Sequence, residues 1–266
     1  MKTGKAMQLG LKILGFVLFG VAVFGLISAT DARSTGKVSK VIVDIRPLEG
    51  NVFLVENADL AELLKKNYKL KLKDQHVDKL DLNKIESIVE KNDFVRDAQV
   101  YIDARNNLKI RVEQRTPVLR VILRDQATFY IDEAGRKLPV SDNAVLRLPV
   151  LTGELPQFRN DMIRDSSNVY SRAFNIILAV RKDPFMTGLT EQLVADDKKD
   201  ISIIPKLGNH RIILGNADDI GNKFKRLEIF YKKGMPSEGW DLYKEINLKY
   251  RDQVIARKAD VSPIKS

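Results

Sequence analysis

The 266-residue chain has no cysteine. That single absence excludes disulfides, zinc–thiolate sites, iron–sulfur clusters and cysteine nucleophiles, and leaves stability to the size of the apolar cores. Histidine is scarce: His76 and His210 are the two in the chain, and neither stands in an H-E-x-x-H phrase or beside a nucleophile motif. His76 falls in a polar connection and His210 follows Gly208-Asn209 in a predicted hairpin turn, so both are expected to be solvated. There is no G-x-S-x-G elbow, and Gly208, Gly215 and Gly221 have neither P-loop nor dinucleotide spacing. A Ser-His-Asp triad assembled from distant positions stays open, because triads do not depend on local spacing. The acidic pairs Asp132-Glu133 and Asp196-Asp197 sit beside Gly135 and before Lys198-Lys199, where turns and solvated loops are expected in preference to metal ligands. Aromatic residues make up 7% of the chain and no basic block stands out, so the run of cations and stacking rings that single-stranded nucleic acid prefers is missing. These deficits predict a protein without catalytic residues, cofactor, metal or small-molecule substrate.

What is present begins with a long apolar run, Leu9 to Ala29, free of charge from Ile13 onward. At the helical rise of about 1.5 Å per residue it extends roughly 31 Å, the thickness of a bilayer core, with Lys12 snorkelling to the headgroups. Lys2, Lys5 and Lys12 precede the run without any acid, whereas Asp31 interrupts Arg33, Lys37 and Lys40 after it. The positive-inside rule then predicts a cytoplasmic tail over residues 1–8, a membrane span over 9–30 and export of everything that follows. A cleaved signal peptide is the competing reading. Its apolar stretch is normally shorter, and Thr30-Asp31-Ala32 is a poor cleavage site. Glycines 10, 15, 20 and 25 recur every five residues and form no GxxxG seam. The net charge of +10 is spread along the chain, which suits an anionic neighbourhood such as lipid headgroups or wall polymer.

After the polar linker Ser34-Thr35-Gly36-Lys37, Val41, Val43 and Ile45 alternate with Ile42, Asp44 and Arg46, predicting a half-buried strand. A short helix is predicted over Ala58–Lys66, with Leu60, Leu63 and Leu64 on one side. A basic connection follows over Leu70–Val77. Lys65, Lys66, Lys69, Lys71 and Lys73 form the densest positive stretch, either a solvated helix end or a contact for anionic headgroups. A second helix is predicted from Asp81–Asn83, with Asn83 and Glu86 as a capping box and Leu82, Ile85 and Val89 on one face. Ala98, Val100 and Ile102, then Leu108, Ile110 and Val112, predict two strands joined by a turn at Arg105-Asn106-Asn107.

The resulting order, strand–helix–helix–strand–strand, resembles a POTRA domain, and the residues resemble that of the bacterial FtsQ/DivIB cell-division family. The matching phrases are Asp81-Leu82-Asn83-Lys84-Ile85, Phe94 to Val100, and Leu108 to Val118, the last ending in an E-x-R-x-P phrase, Glu113 to Pro117. Beyond Pro117 the chain is strand-rich. Leu119, Val121 and Leu123 alternate with Arg120, Ile122 and Arg124; Phe129-Tyr130-Ile131 enters a turn at Asp132 to Gly135; and Arg147–Leu151 reads as a strand before Thr152-Gly153. Helices are predicted over Ser167–Arg181 and Asp218–Lys233, with strands near Leu193–Ala195, Ile201–Ile204, Arg211–Leu214 and Glu245–Tyr250. Ile131-Asp132 with Gly135, and Leu148 to Gly153, resemble the family's signatures in its second, β domain. The expected fold is therefore α+β: a single transmembrane helix, a POTRA domain over 38–116, a mixed, strand-rich β domain with two helices over 117–254, and a tail over 255–266.

The resemblance implies a non-enzymatic divisome scaffold of the bacterial inner membrane. Such a protein has a cytoplasmic N-terminus and works at the septum by recruiting membrane-anchored division proteins. In that family the late strand region binds the partners FtsB and FtsL. Its phrase corresponds to Ile246 to Gln253 here, so Lys249, Tyr250, Arg251, Asp252, Gln253 and Val254 are the partner-binding residues it implies, in part through β-strand augmentation of an exposed edge. Two other classes compete: an outer-membrane or secretion assembly factor that uses its POTRA unit, and a membrane-anchored envelope hydrolase. The first usually carries several POTRA repeats or a barrel-length region, and the second needs catalytic residues that the sequence does not display.

Overall fold

The computed structural model describes residues 36–68, 72–235 and 242–259. Among these no helix is long and apolar enough to cross a membrane. The predicted tail at 1–8, the span at 9–30, Lys69, Leu70, Lys71 and residues 260–266 all lie outside the described residues. The chain divides into two compact units, with the boundary between Gln114 and Arg115.

The first unit has a three-stranded sheet made by β1 (Val41–Arg46), β2 (Val95–Ile102) and β3 (Leu108–Gln114), in the order β1-β3-β2. The strands β2 and β3 form an antiparallel hairpin that sets Ala98 opposite Val112 and Val100 opposite Ile110. All four are buried, so the predicted alternation is the observed one. In the turn, Asn106 takes a positive φ of 57° and the Asp103 carboxylate accepts from the N–H groups of Arg105 and Asn107. The chain then places β1 parallel to β3, Val41 beside Leu108 and Ile45 beside Val112. A parallel pair needs a crossover, and it contains α1 (Asn57–Asn67) and α2 (Leu82–Val89). Leu60 and Leu64 of α1 join Ile85, Ile88 and Val89 of α2 in one core with the inner face of the sheet. Lys65 and Lys66 lie in the last turn of α1, where cations complement the helix dipole, and Lys73 is exposed.

Capping departs from the prediction. The N-cap of α2 is Asp81, whose Oδ1 accepts from the Lys84 N–H at 3.0 Å. Because the helix starts at Leu82, Asn83 is already inside it and Glu86 lies beyond reach of the cap. Glu86 instead accepts from the Val100 N–H at 2.7 Å, covering a donor of the edge strand β2. Gln114 brings a polar group into this core. It is buried, with Oε1 accepting from the Leu54 N–H at 2.6 Å and Nε2 donating to the Arg46 carbonyl at 2.9 Å. One side chain thereby ties the end of β3 to the end of β1 and to the loop after it.

The second unit has a nine-stranded sheet. Its strands are β4 (Pro117–Ile122), β5 (Thr128–Asp132), β6 (Lys137–Leu138), β7 (Val150–Gly153), β8 (Thr190–Ala195), β9 (Ile201–Pro205), β10 (Arg211–Gly215), β11 (Tyr243–Asn247) and β12 (Ile255–Lys258). Their order is β12-β11-β10-β9-β8-β7-β4-β5-β6. The joints β4–β7, β7–β8 and β10–β11 are parallel and the others antiparallel. Two parallel joints are bridged by helices: α3 (Val169–Lys182) with α4 (Pro184–Leu189) between β7 and β8, and α5 (Ile220–Lys233) between β10 and β11. Tyr170, Ile177 and Val180 of α3, Met186 of α4, and Phe224, Leu227 and Tyr231 of α5 share one core with Leu119, Leu151, Leu193, Ile203, Ile212 and Ile246 of the sheet.

Four expectations for this unit need correction. Helix α4 makes a third helix where two were predicted. Asp183 caps it by accepting from the Met186 N–H at 3.1 Å, and Pro184 opens it, but six residues are too few to show a period. The strand predicted at Arg147–Leu151 starts only at Val150, because Pro149 has no N–H for a ladder; its carbonyl does accept from Arg120. The late strand ends at Asn247, not Tyr250, and Ile255–Lys258, predicted to begin a tail, form the edge strand β12.

The signature phrases have structural explanations. Arg115 of the E-x-R-x-P phrase donates to Asp132 at 3.2 Å, and Asp132 is buried while its Oδ1 also accepts from the N–H groups of Ala134 and Arg136. The acidic turn thus exists, but Asp132 is its interior hub and not a solvated residue. Gly153, which ends the Leu148 to Gly153 phrase, has φ +109°, and a Cβ there would lie 2.0 Å from the Ala195 carbonyl oxygen of β8. Only glycine lets the two backbones approach this closely.

Candidate functional site

The six residues singled out by resemblance fall in the hairpin that joins β11 to β12. After Asn247 the chain still bonds the sheet once, Leu248 N–H to the Ile213 carbonyl at 2.9 Å. The Asn247 carboxamide oxygen then accepts from the Lys249 N–H at 3.0 Å, an Asx-type turn that ends the strand. Asp252 takes a positive φ of 59°, reversing the chain into β12.

Two side chains from elsewhere hold this loop. Arg226, on α5, donates to the carbonyls of Tyr250 (2.8 Å), Gln253 and Leu248 (3.4 Å). Asp200, in the β8–β9 turn, pairs with Lys249 at 2.5 Å, and this hydrogen bond raises the Lys249 ammonium above its ordinary pKa. Lys249 is therefore engaged within its own unit. The Tyr250 side chain is free to face solvent, the residue being 55% exposed, and Arg251, Asp252 and Gln253 are exposed as well. Val254 is half-buried against the core. The structure thus brings all six together in one loop, with four side chains outward and two turned into the unit.

The loop leads directly into the free edge. Among the described residues the strand β12 pairs only with β11, placing Ile246 opposite Ala256 and Asn247 opposite Ile255. Ile255 is 45% exposed, and Arg257 bridges Glu245 at 3.0 Å across the pair. On α5, Ile229 lies one turn beyond Arg226 and is also exposed.

Lys223, one turn before Arg226, is buried and gives its ammonium to the carbonyls of Leu214 (2.9 Å) and Asn216 (3.0 Å). Burial pulls its pKa below the usual lysine value. Lys223 fixes the end of β10, and Arg226 fixes the loop beside it. Sequence reasoning found neither. Lys223 sits on the apolar stripe of Ile220, Phe224 and Leu227, where a cation signals an interior partner; Arg226 left no such trace.

His210 also differs from expectation. It does sit at the β9–β10 turn, but it is buried, with Nε2 2.5 Å from the Tyr231 hydroxyl, because α5 backs the turn. His76 is exposed, as predicted. Asp196 is a turn residue that accepts from the N–H groups of Lys198 and Asp200. Among the described residues no group of three or more His, Asp or Glu is placed to hold a metal ion.

Residues 116–257, nearly all of the nine-stranded sheet, match the family model described as FtsQ/DivIB, C-terminal related, and residues 37–113 match that of a POTRA-like domain. The chain belongs to the FtsQ/DivIB family. The cell division protein FtsQ of Syntrophotalea carbinolica is 27% identical over 177 residues, which cover 65% of this chain and 61% of that relative. The chain thus spans less than two thirds of that relative's length. The POTRA-like match and the strand-rich match fall on the two compact units, and together they make the chain α+β.

Proposed function

We propose that this protein is a non-enzymatic cell-division scaffold that gathers membrane-anchored partners at the septum of the bacterial inner membrane. Residues 9–30 anchor it, residues 1–8 stay in the cytoplasm, and the two folded units are exported. Its partners are FtsB- and FtsL-like division proteins, which dock on the β11–β12 hairpin and extend the sheet along β12. The observation that carries this reading is the free edge itself. A strand with one pairing neighbour, half-exposed Ile255 and a Tyr250 loop pinned at its root by Arg226 is ready to accept another chain's strand. Main-chain hydrogen bonds supply affinity in such a mode, and an exposed aromatic beside the edge supplies an anchor. Membership of the FtsQ/DivIB family supports the cellular role.

The test is co-purification of FtsB and FtsL from membranes. Tyr250→Ala should lower recovery at least tenfold while the melting temperature stays within a degree or so of the parent, since an exposed side chain contributes little to folding. A photo-crosslinker at position 255 should trap the same partners. Full recovery with Tyr250→Ala and no adduct at 255 together rule out this docking surface. Protease added to spheroplasts tests the topology: failure to digest the carboxy-terminal unit overturns the anchor.

A further inference from the structure

We infer that the second unit holds a binding site for a phosphate-bearing anion, in a cleft remote in sequence from the β11–β12 hairpin. The cleft encloses about 620 Å³ where β4, β7 and β8 begin and α3 ends. Arg120, Arg147, Arg181 and Lys206 line it, against one carboxylate, Glu191. The spread positive charge of the whole chain is here concentrated, four cations to one anion. Among the described residues the three guanidinium groups form no ion pair.

Charge alone describes many surfaces, and a second observation lies at the base of this one. Thr190 lines the cleft, is 1% exposed, and its hydroxyl has no hydrogen-bond partner; the buried Nε of Arg120 has none either. Buried donors without an acceptor are costly, and a ligand oxygen at this point would supply the missing acceptor. The register sets Arg120 of β4 beside Val150 of β7, and both line the cleft.

The donor set selects the chemistry. A carboxylate has two oxygens and is saturated by one or two guanidinium forks. Three guanidinium groups, one of them with a free Nε, together with an ammonium and a hydroxyl call for more acceptors and more charge, which a phosphate group or a chain of phosphodiesters provides. Such a group is available from an anionic lipid headgroup or from a free phosphate-bearing solute or polymer.

Isothermal titration of the full chain in neutral detergent with inorganic pyrophosphate tests the site. The expected result is saturable binding that weakens with salt. Arg147→Ala with Arg181→Ala should weaken it at least tenfold without changing the melting temperature, both side chains being exposed. Arg147→Lys with Arg181→Lys should restore part of it. Displacement of pyrophosphate by dihexanoyl phosphatidylglycerol but not by glycerol phosphate assigns the site to lipid, and the reverse assigns it to a free phosphate source; either supports the proposal. No binding up to millimolar pyrophosphate, equal binding by the Ala pair, or tighter binding of a hexaglutamate peptide overturns it.

Discussion

Replacing Asp132 by alanine is the sharpest probe of how the second unit is built. The carboxylate is 2% exposed and pairs at 3.2 Å with Arg115, whose side chain is 14% exposed. It also accepts from the N–H groups of Ala134 and Arg136. Removing one member of a buried ion pair costs about 3–5 kcal/mol, because the remaining charge loses its partner. Residual exposure of Arg115 lets water recover part of that loss, and the turn amides adjoin exposed residues, so we expect a value near the lower end, about 3 kcal/mol. Urea unfolding with hydrogen exchange read at the β4–β6 amides separates this unit from the first. Arg115→Met with Asp132→Ala should be less costly than the sum of the single changes by about 1–3 kcal/mol. A single-variant cost below about 1 kcal/mol, or strict additivity, refutes the view that the pair closes the β5–β6 hairpin onto the start of β4.

Gln114→Ala removes the acceptor of the Leu54 N–H and the donor to the Arg46 carbonyl, and should destabilise the first unit by about 2 kcal/mol in denaturant titration. Gly153→Ala forces a methyl group into the Ala195 carbonyl at a positive φ; a loss of about 3 kcal/mol or more, or failure to accumulate in cells, is expected. On the proposed docking, Arg226→Ala should lower FtsB and FtsL capture as strongly as Tyr250→Ala, although Arg226 holds the loop only through its carbonyls; faster exchange at residues 249–254 distinguishes a loosened loop from a lost contact. The hydrogen bond from Arg96, and the charges of Arg96 and Arg46, hold the Glu113 carboxyl below its ordinary value of 4.5. A depressed folded-state pKa adds stability above the unfolded value and loses it as pH falls through the folded one. The melting temperature should therefore drop as pH falls below the unfolded-state value and through the lowered folded one, and Glu113→Gln should flatten that slope.

The first unit was legible because its strands each show one apolar face and its helices are long enough to display a stripe. Leu108, Ile110 and Val112 needed no other information to be placed inward. The second unit was legible where alternation was clean and obscure where backbone chemistry decided the boundary. Pro149 delayed β7, the Asn247 side chain ended β11, and Ile255–Lys258 carried too many charges to read as a strand, though charge is how an edge avoids indiscriminate pairing. The candidate loop came from resemblance and not from pattern. Its fixation by Arg226 was invisible because the carbonyls it holds lie 22–27 residues away and belong to no motif. The family phrases themselves turned out to hold the fold: Arg115 with Asp132, and Gly153 against Ala195, are packing solutions.

The two ends of the nine-stranded sheet are unequal: β6 has two residues and β12 has four. A two-residue border gives an incoming strand almost nothing to zip onto, whereas the four residues of β12 offer a longer ladder. Copies of such a unit lack the matching pair of long borders that stacking into an endless ribbon demands.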